Sequence, residues 1–326
     1  MVVSLCLVGV SFLLASVLGL FIIPFLHKLK FGQEIREEGP AWHKKKSGTP
    51  TMGGFIFIIS WAITLIGAKI VLSYVMPNFL KDGLLLLMLM PICFGAIGFI
   101  DDYIKVILKR NLGLTAIQKF SLQTAVSVVF AVWLTASGTV STKILIPFTG
   151  IYFDFWYFYI PFTVIVMLAT VNSVNLTDGL DGLATSVTIV ISLFYMIISN
   201  IEESGIIAAF SSALLGGLFG FLIYNKYPAK VFMGDTGSLF LGGAVCSMAM
   251  YMKQPIILLI IGFVYVAESL SVIIQVTYFK RTGKRIFKMS PIHHHFEMCG
   301  WSEAKIVSVF VIVTMILCVI GYYAVI

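Results

Sequence analysis

Five of the seven aspartates in this chain stand where long apolar runs end or begin: Asp101 and Asp102, Asp178 and Asp181 in NLTDGLDGLA, and Asp235 in FMGDTGS. A carboxylate at a bilayer boundary is costly unless a cation or a hydrogen-bond donor meets it. The triplet His293-His294-His295 adds three imidazoles after a run rich in lysine and arginine. Carboxylates and imidazoles gathered at one membrane face suit a metal-dependent site acting on a phosphate-bearing substrate.

Each group also has a plainer reading. Asp101 and Asp102 are adjacent, so on a helix their side chains diverge by ~100° and cannot do the same job. One can face a metal or a nucleophile while the other anchors a lysine, which a carboxylate at a helix C-terminus needs against the macrodipole. Asn175, Asp178 and Asp181 fall at intervals of three, with Gly179 and Gly182 leaving bare backbone for a ligand. A helix cap would explain one of these residues but not the group. Asp235 opens an apolar run inside a glycine-flanked turn, and no GK[ST] follows, so this is not a phosphate-binding P-loop. The histidines can ligate a metal, donate to phosphate or carry protons. The preceding basic residues, 280–288, also suit anionic headgroups. In HKKKSGTPTMGG (43–54), three lysines lead into a turn of hydroxyls and glycines that includes Thr51. Glu268, deep in an apolar run, reads as a structural acid paired with a polar group of a neighbouring helix.

The elements that must hold these residues are membrane spans. The 326 residues are 59% hydrophobic and only 11% charged, far from a soluble composition. Apolar runs long enough for a ~30 Å hydrocarbon core are read at 2–25, 53–76, 83–100, 116–137, 160–174, 183–200, 205–224, 237–252, 255–278 and 304–325. The runs 160–174 and 237–252 are short, and Gly242-Gly243 interrupts the second. The first run lacks a preceding basic residue and is longer than a signal core, so it reads as a retained span. Connecting segments on one side carry eighteen Lys and Arg; those on the other carry only Lys69, Lys81, Lys143 and Lys253. The positive-inside rule makes the first side cytoplasmic. All five aspartates and the histidines lie there, and both termini lie outside. The expected fold is an all-α integral membrane protein of about ten transmembrane helices, one domain over 1–326. In the 138–160 segment, KILIPF and IYFDFWYFYI flank Thr149-Gly150, which predicts a small extracytoplasmic β-hairpin.

The five scattered cysteines contain no CxxC pair, so neither a disulfide framework nor a zinc site is indicated. The net charge of +7 belongs to loops that orient spans, because no aromatic-basic nucleic-acid motif is present. A transporter using the acids as ion sites would place them near the bilayer midplane, whereas here they cluster at one face.

Together, GTPTMGG, FIDDYIK, NLTDGLDGLA, FMGDTGS and PIHHHFE resemble the phospho-N-acetylmuramoyl-pentapeptide transferases, within the polyprenyl-phosphate N-acetylhexosamine-1-phosphate transferases. The resemblance runs over essentially the whole chain, and PIHHHFE argues against the sister enzymes that move GlcNAc-1-phosphate. It implies a bacterial plasma-membrane homodimer that uses Mg²⁺, UDP-MurNAc-pentapeptide and undecaprenyl phosphate to make lipid I and UMP. It implies that Asp101, Asp102 and Asp235 are catalytic, with Asp235 the magnesium ligand, and that His294 and His295 join them. Lys46, Thr51, Asn175, Asp178, Gly179, Asp181, Asn225 and Phe232 would line the nucleotide-sugar cleft, with His293 beside them.

The charge split is open to a direct check. Single cysteines placed at Ser47 and Thr149, in a background without native cysteine, should label oppositely with an impermeant thiol reagent on whole cells. Thr149→Cys should react and Ser47→Cys should not; the reverse pattern would overturn the orientation.

Overall fold

A computed structural model describes residues 1–29, 48–76, 79–80, 83–106, 113–138 and 140–326. Twelve helices and one two-stranded sheet follow in chain order: α1 (Val2–Lys28), α2 (Gly54–Val75), α3 (Leu84–Val106), α4 (Ala116–Ala136), β1 (Lys143–Ile146), β2 (Ile151–Asp154), α5 (Tyr159–Thr177), α6 (Leu183–Ile201), α7 (Gly205–Asn225), α8 (Gly234–Tyr251), α9 (Leu258–Ile261), α10 (Phe263–Thr282), α11 (Ile292–Met298) and α12 (Glu303–Val325). Among the described residues, eight helices are long and apolar enough to cross a membrane, or nine if the bent pair α9–α10 is one span. The chain is a multi-pass membrane protein. The short 160–174 run gains length from a 3₁₀ turn at Trp156–Phe158 that leads into α5. The 255–278 run is not straight: it breaks at Gly262 with an 81° bend.

The helix α8 is the centre of the bundle. Every residue from Thr236 to Met250 is buried. A helix enclosed by protein has no lipid-facing surface to make apolar, which explains its weak hydropathy. Its glycines bring neighbours close rather than interrupt it: a Cβ at Gly242 would stand 2.5 Å from the Val171 Cα of α5, and one at Gly243 2.9 Å from the Pro91 Cα of α3. Small residues at helix interfaces are the usual route to van der Waals packing within a bilayer. The same device joins α1 to α7. Buried Ser11, Ala15 and Gly19 form one stripe of α1, facing α7, where Ser11 Oγ donates to the Ala213 carbonyl at 2.6 Å. Between α2, α7 and α8 lies an aromatic core, with Trp61 meeting Phe210 and Phe240 edge-on at 5.0 Å.

The hairpin forms as expected, Lys143 opposite Asp154 and Ile146 opposite Ile151. It is tied to the bundle end opposite the aspartates: Leu145 N donates to Lys253 O, just past α8, and Phe148 N to Ala324 O, in the last turn of α12. At that same end, Ser4 of α1 and Asn200 of α6 exchange hydrogen bonds at 2.9–3.2 Å. Since α8 begins at Gly234, beside Asp235, and ends beside the hairpin, it traverses the full depth of the bundle.

The approach of α3 to α8 is closest at Gly98, where a Cβ would overlap the Asp235 carbonyl. Gly98→Ala should therefore destabilise the protein by about 1–3 kcal/mol, the usual cost of overpacking. Gly9→Ala, which meets nothing within 4 Å, should leave the thermal midpoint in detergent unchanged. Equal midpoints for the two variants would contradict this packing.

Candidate active site

The amino end of α8 is held by a residue of another helix. Asp102, buried in the last turns of α3, accepts from Asp235 N (3.2 Å), Thr236 N (2.9 Å) and Thr236 Oγ1 (2.7 Å). It thus satisfies N–H groups that a helix start leaves without intrahelical partners, and puts negative charge on the positive end of the dipole. Gly234 makes room for it: φ is +71°, and a Cβ there would lie 2.5 Å from Asp102 Oδ2 and 2.7 Å from Thr51 Oγ1. Asp101 diverges from its neighbour. It pairs with Lys105, one turn on, and accepts from Leu114 N at 2.7 Å.

Asp235 projects from the start of α8 into this group. Its Oδ1 accepts from Asn175 Nδ2 at 2.8 Å; its Oδ2 meets Lys105 Nζ at 2.8 Å and Lys119 Nζ at 3.0 Å. Asn175 also donates to Ser238 Oγ at 2.7 Å, which fastens α5 to α8. Asp101, Asp102 and Asp235 each offer a carboxylate oxygen within 4.8 Å of the others. This all-oxygen donor set fits a hard divalent cation such as Mg²⁺ or Mn²⁺ rather than zinc or copper. Lys105 and Lys119 were not singled out in the sequence, where they count only as loop charge. The one local signal was the Asp101–Lys105 spacing of four on a helix. Thr115 and Gln118 form a capping box that starts α4 one turn before Lys119.

Asp178 caps the C-terminus of α5. Burial, and then the negative charges of Asp235, Asp102 and Asp181, hold its carboxyl well above the usual range. A cation bound among these acids would relieve that repulsion. Asp181 accepts from Ala229 N at 2.9 Å. Asn225 accepts from Thr185 Oγ1 (2.7 Å) and donates to Val231 O (3.0 Å). Both therefore shape the 226–233 connection. Phe232 joins that connection to the GTPTMGG turn, its N–H donating to Pro50 O and its carbonyl accepting from Gly53 N. These contacts bring Thr51, Asn175, Asp178 and the three-carboxylate cluster to one end of the bundle. Lys46 lies outside the described residues.

The three histidines occupy three environments. His293 is fully buried, with Nδ1 3.0 Å from Glu268 Oε2 and its ring against Gly179. His294 Nδ1 lies 2.6 Å from Glu297 Oε2. His295 Nδ1 accepts from Lys288 N at 3.1 Å, so in the neutral ring the proton sits on Nε2. Beside the acids, a groove of about 580 Å³ runs between α4 and α5, walled by Ala116, Ile117, Phe120, Gln123 and Asn172. Lys119 and Asn175, both on Asp235, also line it.

Lys105 and a divalent cation compete for the same carboxylate oxygens. Lys105→Met should therefore enlarge the rise in thermal midpoint on adding Mg²⁺, while Asp235→Asn should abolish it. An identical Mg²⁺ response in wild type and both variants would exclude the cluster as the metal site.

The sequence pattern of glycosyl transferase family 4 matches residues 84–253, which hold the three carboxylates, both lysines and the NLTDGLDGLA loop. Proteins named phospho-N-acetylmuramoyl-pentapeptide-transferase are similar over nearly the whole chain. That of Clostridium botulinum (strain Eklund 17B / Type B) is 51% identical over 323 residues, 99% of this chain and 96% of the relative. That of Clostridium kluyveri (strain ATCC 8527) is 51% identical over 313 residues, 96% of each chain. That of Clostridium perfringens (strain 13 / Type A) is 52% identical over 313 residues, again 96% of each. The chain therefore belongs to the phospho-N-acetylmuramoyl-pentapeptide transferases, enzymes of the glycosyl-1-phosphate transferase class.

Proposed function

We propose that this enzyme transfers phospho-MurNAc-pentapeptide from UDP-MurNAc-pentapeptide to undecaprenyl phosphate, giving lipid I and UMP. The observation that carries the reading is Asp235, placed with two more carboxylates and two lysines at one end of the bundle. The reaction brings two anions together, so the site must offer compensating positive charge. The groove between α4 and α5 supports an amphiphilic acceptor: its walls are largely apolar and Lys119 stands where a phosphate would meet Asp235.

Asp235, with Asp101 and Asp102, would hold Mg²⁺, which when bound neutralises pyrophosphate oxygens and stabilises the leaving UMP. The acceptor is a phosphate monoester whose second pKa is near ~6, so at pH 7 it is largely dianionic and needs little base catalysis. Its oxygen forms the new bond to the sugar-side phosphorus; the bond from that phosphorus to the bridging oxygen breaks, and UMP leaves with the electron pair. Any residual proton goes to Asp101, since Asp102 is already accepting three hydrogen bonds. Lys105 and Lys119 hold the phosphates. Thr51, Asn175, Asp178, Gly179, Asp181, Asn225 and Phe232 form or shape the nucleotide-sugar cleft, to whose residues Lys46 and the histidines also belong.

The α8 helix counts as a tenth span, supported by its passage from the acids to the hairpin end. Both termini are extracytoplasmic and the active site faces the cytoplasm, supported by the charge split and by the ties of α1 and α12 at the hairpin end. The whole chain is one transferase domain in the bacterial plasma membrane, working as a homodimer.

Two measurements test this. Purified protein given radiolabelled UDP-MurNAc-pentapeptide and undecaprenyl phosphate should move label into the lipid extract with equimolar UMP; a folded protein that does so only with UDP-GlcNAc would contradict the substrate. Asp101→Asn and Asp102→Asn should separate. Both should lose transfer, but Asp102→Asn should lower stability more, by about 1–3 kcal/mol, because both Asp102 oxygens accept at the start of α8 and an amide nitrogen cannot.

A further inference from the structure

Within the apolar length of α10, Glu268 is fully buried, six residues beyond the bend at Gly262. One carboxylate oxygen meets His293 Nδ1 at 3.0 Å; the other, and His293 Nε2, have no hydrogen-bond partner among the described residues. Burying an acid and an imidazole there is costly, and neither belongs to the three-carboxylate cluster. The ring's position gives the pair a use. Its Nε2 edge is closed against the bare Cα of Gly179, so any side chain at that position would overlap the ring. Gly179 follows Asp178 directly, within the loop that leads to Asp181. A second tie, from Ser269 Oγ to Ser173 Oγ at 2.7 Å, fastens the same stretch of α10 to α5 two residues before Asn175.

We infer that Glu268 and His293 are positioning residues for donor recognition: Glu268 fixes the rotation of the His293 ring, and the ring sets the height of the Asp178–Asp181 loop. An Nδ1–H held by a carboxylate has one orientation, whereas a ring with both nitrogens unpartnered in a buried site turns toward water and takes the loop's support with it. Glu268 thus acts on the nucleotide sugar through His293, Gly179 and Asp178 without touching it. The inference rests on the proposed function and names a consequence peculiar to the donor side.

The test is steady-state kinetics of the purified full-length enzyme, with each substrate varied at saturating levels of the other. Glu268→Ala and Glu268→Leu should raise KM for UDP-MurNAc-pentapeptide about tenfold or more, leaving KM for undecaprenyl phosphate unmoved. Glu268→Gln, whose carbonyl oxygen still accepts from Nδ1–H, should recover most of the donor affinity. Gly179→Ala, which displaces the ring from the loop side, should copy the defect, and adding Glu268→Ala to it should raise donor KM little further. If the Glu268 variants fail to fold, Gly179→Ala alone must still show the donor-specific shift. A lowered thermal midpoint with donor KM unchanged, or additive effects in the double variant, would reduce the pair to a structural contact and overturn the inference. If the wild-type protein itself transfers nothing, the functional reading fails, and this inference with it.

Discussion

A carboxylate of one helix seated on the amino end of another is the contact on which the site depends. Asp102 leaves α3 and takes the first N–H groups of α8, so α8 can start at the bundle's end with Asp235 on its first turn. Everything nearby follows from that junction. Gly234 must be left-handed and bare to admit Asp102, Gly98 must be bare to admit the Asp235 backbone, and Asn175 must reach across to Asp235 and Ser238. Asp101, rotated about a quarter turn away, is left to engage Lys105 and the backbone before α4. Two adjacent aspartates thus do two jobs, one architectural and one electrostatic.

Charge compensation is the second constraint. Three carboxylates within 4.8 Å of one another, two of them buried, repel one another, and Lys105 and Lys119 supply the positive charge that keeps them together. The arrangement is suited to exchange. In the proposed function, a phosphate entering from the groove would draw on the lysines, and the carboxylates they release would turn to a divalent cation.

Much of this was legible in the sequence, for identifiable reasons. Long apolar runs and charged boundaries marked the lipid-facing helices, since lipid contact is what hydropathy measures. KILIPF and IYFDF announced the hairpin by β-propensity around a glycine turn, and the aspartate motifs held the residues that the structure gathers into the candidate site. Other features were hidden. The weak run at α8 reflected enclosure by protein, and Gly242-Gly243, read as an interruption, is where α5 and α3 touch it. The 81° break at Gly262 lay inside an uninterrupted apolar stretch. Lys105 and Lys119 looked like ordinary loop charge because their partner, Asp235, is more than a hundred residues away. Glu268 was read as an acid with an unnamed structural partner; that partner is one of the three histidines, and the other two are held by Glu297 and by the Lys288 backbone. Pairings across such separations leave no local pattern.

The central claim is that each aspartate of the cluster is already committed: Asp102 to α8, Asp101 to Lys105 and Leu114 N, Asp235 to two lysines and Asn175. In the proposed function these carboxylates bind and position rather than form a covalent intermediate, and the lipid phosphate attacks directly. Rapid-quench measurement of UMP release from UDP-MurNAc-pentapeptide, with enzyme in excess and undecaprenyl phosphate strictly absent, tests this most directly. The account predicts no UMP above the slow hydrolytic background until the lipid is added. A burst of UMP stoichiometric with enzyme, formed before any lipid is present, would contradict it.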